Sequence, residues 1–525
     1  MRYRYPAALL LSCCLLLGTV VLGQAQALRG PQLDSLVGHA MRTFQVPGLA
    51  LVIVQNGQVV CAKGYGVRVA GTRQAVDAHT LFAIASNSKA FTAAALGMLV
   101  SEGKLQWDDK VIDYLPEFRL RDPWVTADFT VRDLLTHRSG LALQAGDLMR
   151  TPDSTRFTMA DIMHNLRYLP LVAPFRSRYA YDNILYLVAG ELVARVSGQS
   201  WDDFIERRLL APLQMRESRA AFGRIQRNPN VALGHQLAAG SPRPIPGPLV
   251  EQDAGAGGIY SSAAELSHWL LLQLGHGRAV AGPRLYSEAV ANEMWTPQTI
   301  VPASPNGPYH THFGAYGLGW FLVDVKGQLE VFHTGQDVGM VSAVTLLPEL
   351  GVGFAVLSNQ EGGGAVYALT DQLTDAYLGI RGTNRVQEYA TEAQRHAAAA
   401  EQARAAVLAE VTSSQRPAAS GLDPSPYVGT YRDPWFGEVR ISARPAGGGL
   451  WFQALRSPQL RGPLVPYRGT TFVARWTTPG LNADAFVIFS LGAQGQATGL
   501  RMQALSPMTA PAFDFQDLLF QRLTP

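Results

Sequence analysis

The sequence predicts an α+β domain, its antiparallel sheet assembled from both ends of the domain around a helical subdomain, followed by a small all-β, barrel-like domain. Three observations carry this. Two hairpin patterns stand far apart, near residues 49–64 and 340–358. The segment between them has mainly helical periodicity. From Tyr427 the texture changes to short strands punctuated by Gly and Pro. The chain has 525 residues, 47% apolar and 16% charged, enough for two or three domains with a large core, which excludes a mostly disordered polymer.

In chain order, residues 1–27 read as a signal peptide. Arg2 and Arg4 form the positive start, Ala7–Leu22 is apolar, and Ala25-Gln26-Ala27 is a small-x-small cleavage site. The expectation is an exported protein, periplasmic or secreted. No stable membrane span is expected after signal removal, because the apolar stretch is short for a span of about 20 residues. Cys13 and Cys14 would leave with the signal, so Cys61 remains alone without an intramolecular disulfide. Loss of Arg2 and Arg4 lowers the net charge of +3 by two. No polybasic block and no zinc-type cysteine cluster remain, so no nucleic-acid partner is expected.

Residues 28–381 form the expected α+β domain. Leu49–Gln55 and Gln58–Gly64 flank Asn56-Gly57, the strongest short-range hairpin signal. Phe91, Ala94, Ala95, Met98 and Leu99 follow helical spacing. Thr130-Val-Arg-Asp133 resembles a capping box opening a helix that Gly140 stops. Ile184–Leu192 lies on a further helix, with Asp182 as N-cap and Gly198 as stop. The second hairpin pairs Met340–Leu347 with Val352–Ser358. Residues 382–420 hold an Ala-rich solvated helix and a linker. Residues 421–525 form the small β domain, with strands expected at Glu438–Ile441, Leu450–Ala454, Thr471–Trp476, Ala485–Leu491 and Leu500–Gln503. Its aromatics Trp435, Phe436, Trp451, Phe452 and Trp476 read first as core filling, and second as a lid, a glycan site or an oligomer contact.

The chemistry concentrates in three short motifs. Ser86-Asn87-Ser88-Lys89 opens a helix, where residues three apart share a face, so that the Ser86 hydroxyl and the Lys89 amine can meet. Serine becomes a nucleophile when a neighbouring base takes its proton, and lysine is that base if burial or positive charge lowers its pKa. The helix start adds N–H groups suited to an oxyanion. Only five of the 44 basic side chains are lysines, which makes Lys89 informative. A decoy, Ser101-Glu-Gly-Lys104, is interrupted by Gly103, and Ser88 has Phe91 rather than lysine three residues on. Tyr181-Asp182-Asn183 precedes the next helix and supplies a phenol and an amide, with Tyr179 as a rival phenol. His333-Thr334-Gly335-Gln336 lies on or beside a strand, where glycine permits close approach of a ligand.

Ser-x-x-Lys, Tyr-x-Asn and His-Thr-Gly, spaced by about 95 and about 150 residues, resemble the penicillin-recognising serine hydrolases. The resemblance is to class C β-lactamases and to the esterases and D-peptidases (DD-peptidase-like) that share their fold, over about residues 30–380. Leu134–Leu141, Ala254–Ser261 and Tyr316–Trp320 fit as well. The segment opening Tyr427-Val-Gly-Thr-Tyr431 resembles a lipocalin-like β domain appended to such hydrolases. The resemblance implies Ser86 as acylated nucleophile, and Lys89 and Tyr181 sharing base and acid duty. Asn183 would bind substrate or fix Lys89, and the backbone N–H groups of Ser86 and Gln336 would form the oxyanion hole. Thr334 and Gly335 would line the substrate edge. No metal or organic cofactor is required.

Where many of these enzymes carry lysine, this chain has His333, which at a reference pKa of about 6.5 is mostly neutral at pH 7. That favours esterase or D-amino-acid peptidase activity over a true class C-like β-lactamase. If His333 meets a substrate carboxylate, KM should improve as pH falls through its titration. The expected partners are a small-molecule or peptide substrate, with self-association through the C-terminal domain. Two other readings stand beside this one: a non-catalytic penicillin-binding-like receptor, and a Ser-His-Asp hydrolase using His137. The second lacks the Gly-x-Ser-x-Gly elbow, and His137 reads more simply as a packing or hydrogen-bonding residue within its helix.

Overall fold

The computed structural model describes residues 28–523 apart from 153–154, 226–227, 239, 246–253, 281, 338, 415–422, 445–448 and 479. Residues 1–27, read above as a signal peptide, lie outside the described residues. An eight-stranded antiparallel sheet organises the first domain. Its strands are Gly48–Gln55 (β1), Gln58–Gly66 (β2), Thr299–Val301 (β3), Gly314–Tyr316 (β4), Phe321–Val325 (β5), Gln328–Asp337 (β6), Met340–Leu347 (β7) and Val352–Ser358 (β8). They lie in the order β2-β1-β8-β7-β6-β5-β4-β3, so the two ends of the domain meet where β1 pairs with β8. The Asn56-Gly57 turn works because both residues adopt positive φ, 51° and 78°.

Both faces of the sheet are covered. Along β1, Ala50, Val52 and Val54 point into one core, while Leu49, Leu51 and Ile53 point into the other. A strand buried on two sides needs an unbroken apolar run, which is what β1 carries. Helices Gly30–Thr43 (α1) and Gly364–Tyr377 (α5) cover the second face. The first face carries Ser88–Ser101 (α2), Ile184–Ser197 (α3) and Ala263–Leu274 (α4). α2 is buried almost all round, with Phe91 stacked on Trp269 at 3.7 Å. Gly198 ends α3 in the left-handed conformation, as expected. Asp182 lies one residue before the helix N-cap and still accepts the Leu185 N–H at 3.2 Å.

One helix is shorter than the sequence suggests. The capping box of Thr130 and Asp133 is present, but the helix covers only Val131–Leu134. His137 lies beyond it at φ 53°, a conformation that no helix continues.

The helix Arg385–Ser414 (α6) leads to a closed eight-stranded barrel. Its strands are Gly429–Asp433 (β9), Gly437–Ala443 (β10), Leu450–Ala454 (β11), Arg461–Arg468 (β12), Thr471–Ala474 (β13), Ala485–Leu491 (β14), Ala497–Ala504 (β15) and Leu519–Arg522 (β16). Trp435, Phe436 and Phe452 are buried in its core, whereas Trp451 and Trp476 are partly exposed. The barrel's core is continuous with that of the first domain. Phe436 meets Phe157, the Trp435 carbonyl accepts from Asn165 at 2.7 Å, and Arg456 pairs with Asp161 at 2.7 Å.

Candidate active site

A short strand, Phe82–Ala83, delivers the chain to a 3₁₀ turn, Ala85–Asn87, from which α2 continues. Ala85 holds φ 48°, unusual for a residue with a side chain, and the next residue is Ser86. This bend leaves Ser86 partly exposed, while Lys89, one turn on, is fully buried. Lys89 Nζ lies 3.0 Å from Ser86 Oγ, 2.8 Å from Asn183 Oδ1 and 2.9 Å from the Ala256 carbonyl. Two of those partners only accept. A neutral amine would spend its two N–H bonds on them and turn its lone pair to the Ser86 hydroxyl; an ammonium would donate to all three. The same cage therefore suits both protonation states.

Gly319 permits this placement. A Cβ there would come within 2.9 Å of the Lys89 carbonyl and 3.0 Å of the Ala90 Cα. Gly255 is equally crowded, with the Tyr186 carbonyl 2.3 Å from a built Cβ, and it brings the neighbouring Ala256 carbonyl to the lysine. The phrases Tyr316–Trp320 and Ala254–Ser261 thus act through close packing around α2.

The Tyr181 phenol neighbours Ser86, and its ring centre lies 4.8 Å from Lys89 Nζ. Its enclosed setting pushes the phenol well above the ordinary tyrosine value, opposed by the neighbouring Ser86 hydroxyl. The other candidates separate cleanly. Ser88 is fully buried and accepts the Ile259 N–H at 3.1 Å. Lys104 pairs with Glu102, and Ser101 accepts the Ser287 N–H. Tyr179 packs against Phe321 and Tyr316. His137 is buried beneath Tyr181, ring centres 4.2 Å apart, and its Nδ1 accepts the Asp182 N–H at 3.0 Å. Burial, with Lys89 nearby, holds this imidazole well below its usual value, as befits a packing residue.

His333-Thr334-Gly335-Gln336 lies on β6. β5 pairs with this strand only as far as Phe332, so His333–Asp337 keep β7 on one side and an open edge on the other. Gly335 is needed for contact with the serine turn: a Cβ would lie 2.1 Å from the Ile84 carbonyl. Gln336 is exposed at the edge.

His333 departs from the expected carboxylate partner. It is buried, with Nδ1 2.6 Å from the Thr334 carbonyl and Nε2 3.1 Å from the Tyr316 hydroxyl. The carbonyl only accepts, so Nδ1 carries the proton and Tyr316 donates to Nε2. Burial and the Lys89 charge push His333 down to about 3, so it stays neutral at every pH where it was expected to titrate. The Thr334 side chain lies near the Tyr367 phenol of α5.

Two supporting groups have no motif to announce them. Asp147 Oδ2 accepts from Asn183 Nδ2 at 2.7 Å, fixing the amide so that its oxygen faces the lysine. The Ala256 carbonyl is a backbone group, visible in the sequence only as part of a Gly-rich phrase. Among the described residues, no group of three or more His, Cys, Asp or Glu is placed to hold a metal ion, and no helix is long and apolar enough to cross a membrane.

An alcohol, an amine and a phenol gather at a helix start beside an open sheet edge, the groups that a serine acyl-transfer site needs. The chain belongs to the β-lactamase family, whose model matches residues 33–378, and a model of a domain of unknown function matches residues 415–522. Unguisins hydrolase ungD' of Aspergillus campestris is 30% identical over 366 residues, covering 65% of this chain and 64% of the relative. Protein flp of Staphylococcus aureus is 27% identical over 336 residues, 62% of each chain. The chain thus spans less than two thirds of the length of the curated relatives it matches. The octameric penicillin-binding protein homologue from Pyrococcus abyssi superposes with a TM-score of 0.60 at 22% identity, covering 93% of this chain and 99% of that one. A class C β-lactamase from Rhodobacter sphaeroides gives 0.52 at 21% identity, over 66% and 98%.

Proposed function

We propose that the protein is an exported serine hydrolase that cleaves an amide or ester bond through an acyl-enzyme on Ser86. The observation that carries this is the placement of Lys89 Nζ 3.0 Å from Ser86 Oγ, held by Asn183 and the Ala256 carbonyl. In the reaction, neutral Lys89 takes the Ser86 proton as Oγ attacks the substrate carbonyl. The N–H groups of Ser86 and Gln336 receive the oxyanion, and the open edge of β6 aligns an extended substrate. Tyr181, its phenol kept protonated, passes a proton to the leaving group and is restored from Lys89. Water then releases the acyl group by the reverse relay.

A buried, neutral His333 supplies no cation for a substrate carboxylate, which supports a peptide or ester substrate over a dedicated β-lactam. The name of the unguisins hydrolases adds support for hydrolysis by relatives of this chain. Export rests on Arg2, Arg4, the apolar stretch and Ala25-Gln26-Ala27.

Incubation with a fluorophosphonate, followed by peptide mass spectrometry, tests the reading. Labelling at Ser86, lost in Ser86→Ala, is expected, together with turnover of nitrophenyl esters or D-amino-acid anilides. Labelling elsewhere would overturn the assignment, and penicillin acylation that never releases product would favour a receptor.

A further inference from the structure

We infer that Asp514, a residue of the C-terminal barrel domain, is a positioning residue for the catalytic lysine, so that the barrel completes the active site of the domain before it. This rests on Lys89 acting as the base for Ser86.

Asp514 lies between β15 and β16 and is fully buried. Its carboxylate leaves the barrel and meets the other domain: Oδ2 accepts the Gly146 N–H at 2.6 Å and Oδ1 the Leu148 N–H at 3.2 Å. These two amides flank Asp147. A buried carboxylate gripping the residues on either side sets where the Asp147 side chain projects. Asp147 Oδ2 accepts from Asn183 Nδ2 at 2.7 Å, Asn183 Oδ1 accepts from Lys89 Nζ at 2.8 Å, and Lys89 Nζ lies 3.0 Å from Ser86 Oγ. The same loop touches the site a second time, because the Gln144 N–H donates to the Tyr181 carbonyl at 2.7 Å. Gly146, at φ 82°, makes the turn that aims its N–H at Asp514.

The arrangement has an evident cost. Asp514 and Asp147 are both buried acids in one neighbourhood, and burial together with the Asp147 charge drives the Asp514 pKa well up. Contacts that merely join two domains need no such pair; Phe157 on Phe436 and Arg456 with Asp161 already do that here. The carboxylate at position 514 is instead placed where two backbone donors need an acceptor and where the loop between them supports Asn183.

The test compares Asp514→Asn with Arg456→Ala in the full chain. Asparagine keeps one acceptor but turns an NH₂ toward the other backbone N–H, whereas Arg456→Ala weakens the same interface away from the relay. Pre-steady-state acylation by a nitrophenyl ester should slow at least tenfold in Asp514→Asn, with KM changed less than threefold and the pH midpoint of acylation moved. Arg456→Ala should retain the wild-type rate and midpoint, even if it melts lower. Because Asp514 acts through Asn183, the double variant Asp514→Asn/Asn183→Ala should acylate no more slowly than Asn183→Ala alone. Should Asp514→Asn fail to fold, Asp514→Glu, which keeps the carboxyl group but displaces the loop by a methylene, carries the same expectation. A wild-type rate and midpoint in a folded Asp514 variant, with Ser86 still labelled, would overturn the relay alone. Absence of Ser86 labelling in the wild type would overturn the underlying reading instead.

Discussion

The Tyr316 hydroxyl lies 3.1 Å from Nε2 of His333 and donates to it, so both nitrogens of this imidazole are engaged inside the protein. The position that carries a cation in many related enzymes is here a neutral hydrogen-bonding node.

A flat pH dependence of KM follows. Held near 3, His333 does not titrate between pH 5.5 and 8, and KM for a carboxylate-bearing substrate should stay constant across that range. A KM that falls severalfold on acidification, and ceases to do so in His333→Gln, would contradict the geometry. The same shift acts on stability. The unfolded imidazole takes up a proton near 6.5 and the folded one near 3, so the contribution is present above 6.5 and lost as pH falls toward 3.

Removal of the amine should strike the chemical step. Lys89→Ala is expected to lower kcat by about 10²- to 10⁴-fold with little change in KM, because the proton moves in the transition state. Steady-state kinetics with an ester substrate decide it, and a pure KM effect would contradict the role.

Gly335→Ala should be damaging through contact alone. The new methyl would lie 2.1 Å from the Ile84 carbonyl and 2.6 Å from Ser342 Oγ, forcing β6 away from the turn that carries Ser86. A loss of about 1–3 kcal/mol in stability is expected from such overpacking. Urea unfolding and kcat should both register it, with kcat down at least tenfold.

Asp182 carries an acid best kept protonated. Burial, with the Asp147 charge adding, raises it from 3.8 to about 8, and its Oδ2 has no hydrogen-bond partner. Its contribution is fully present below 3.8, the unfolded value, and is lost as pH rises through about 8. Asp182→Asn should therefore melt a few degrees above wild type at pH 8, with the gap closing near pH 4. An equal gap at both values would refute this.

The shared core predicts a shared transition. Phe436→Ala removes a ring packed between Phe157 and Phe520, at a cost of about 3–5 kcal/mol. Chemical denaturation should show one shifted transition covering both domains; an unmoved transition of the first domain would contradict it.

What could be read in the chain was local. Asn56-Gly57 announced its hairpin because the turn type demands those residues. Ser86 and Lys89 could be paired because one helical turn separates them. Where the reading stopped, distant packing decided. The Thr130 box was real, yet His137 at φ 53° ended the segment, since its ring is claimed by Tyr181 and the Asp182 amide. The strand Arg461–Arg468 went unread because Pro463 and Pro466 interrupt it and its register shifts after Pro466. His333 was legible as a strand residue but not as a buried one. Asp147 and the Ala256 carbonyl escaped because no pattern marks an acid or a carbonyl that meets its partner only after folding.

The bonds from Asp514 to Gly146 and Leu148 span more than 360 residues. During synthesis, Ser86 and Lys89 emerge and can form their helix long before the acid that steadies their surroundings exists. On the roles proposed for Ser86 and Asp514, competence follows the docking of the barrel, and a chain without it carries an Asp147 loop lacking its acceptor.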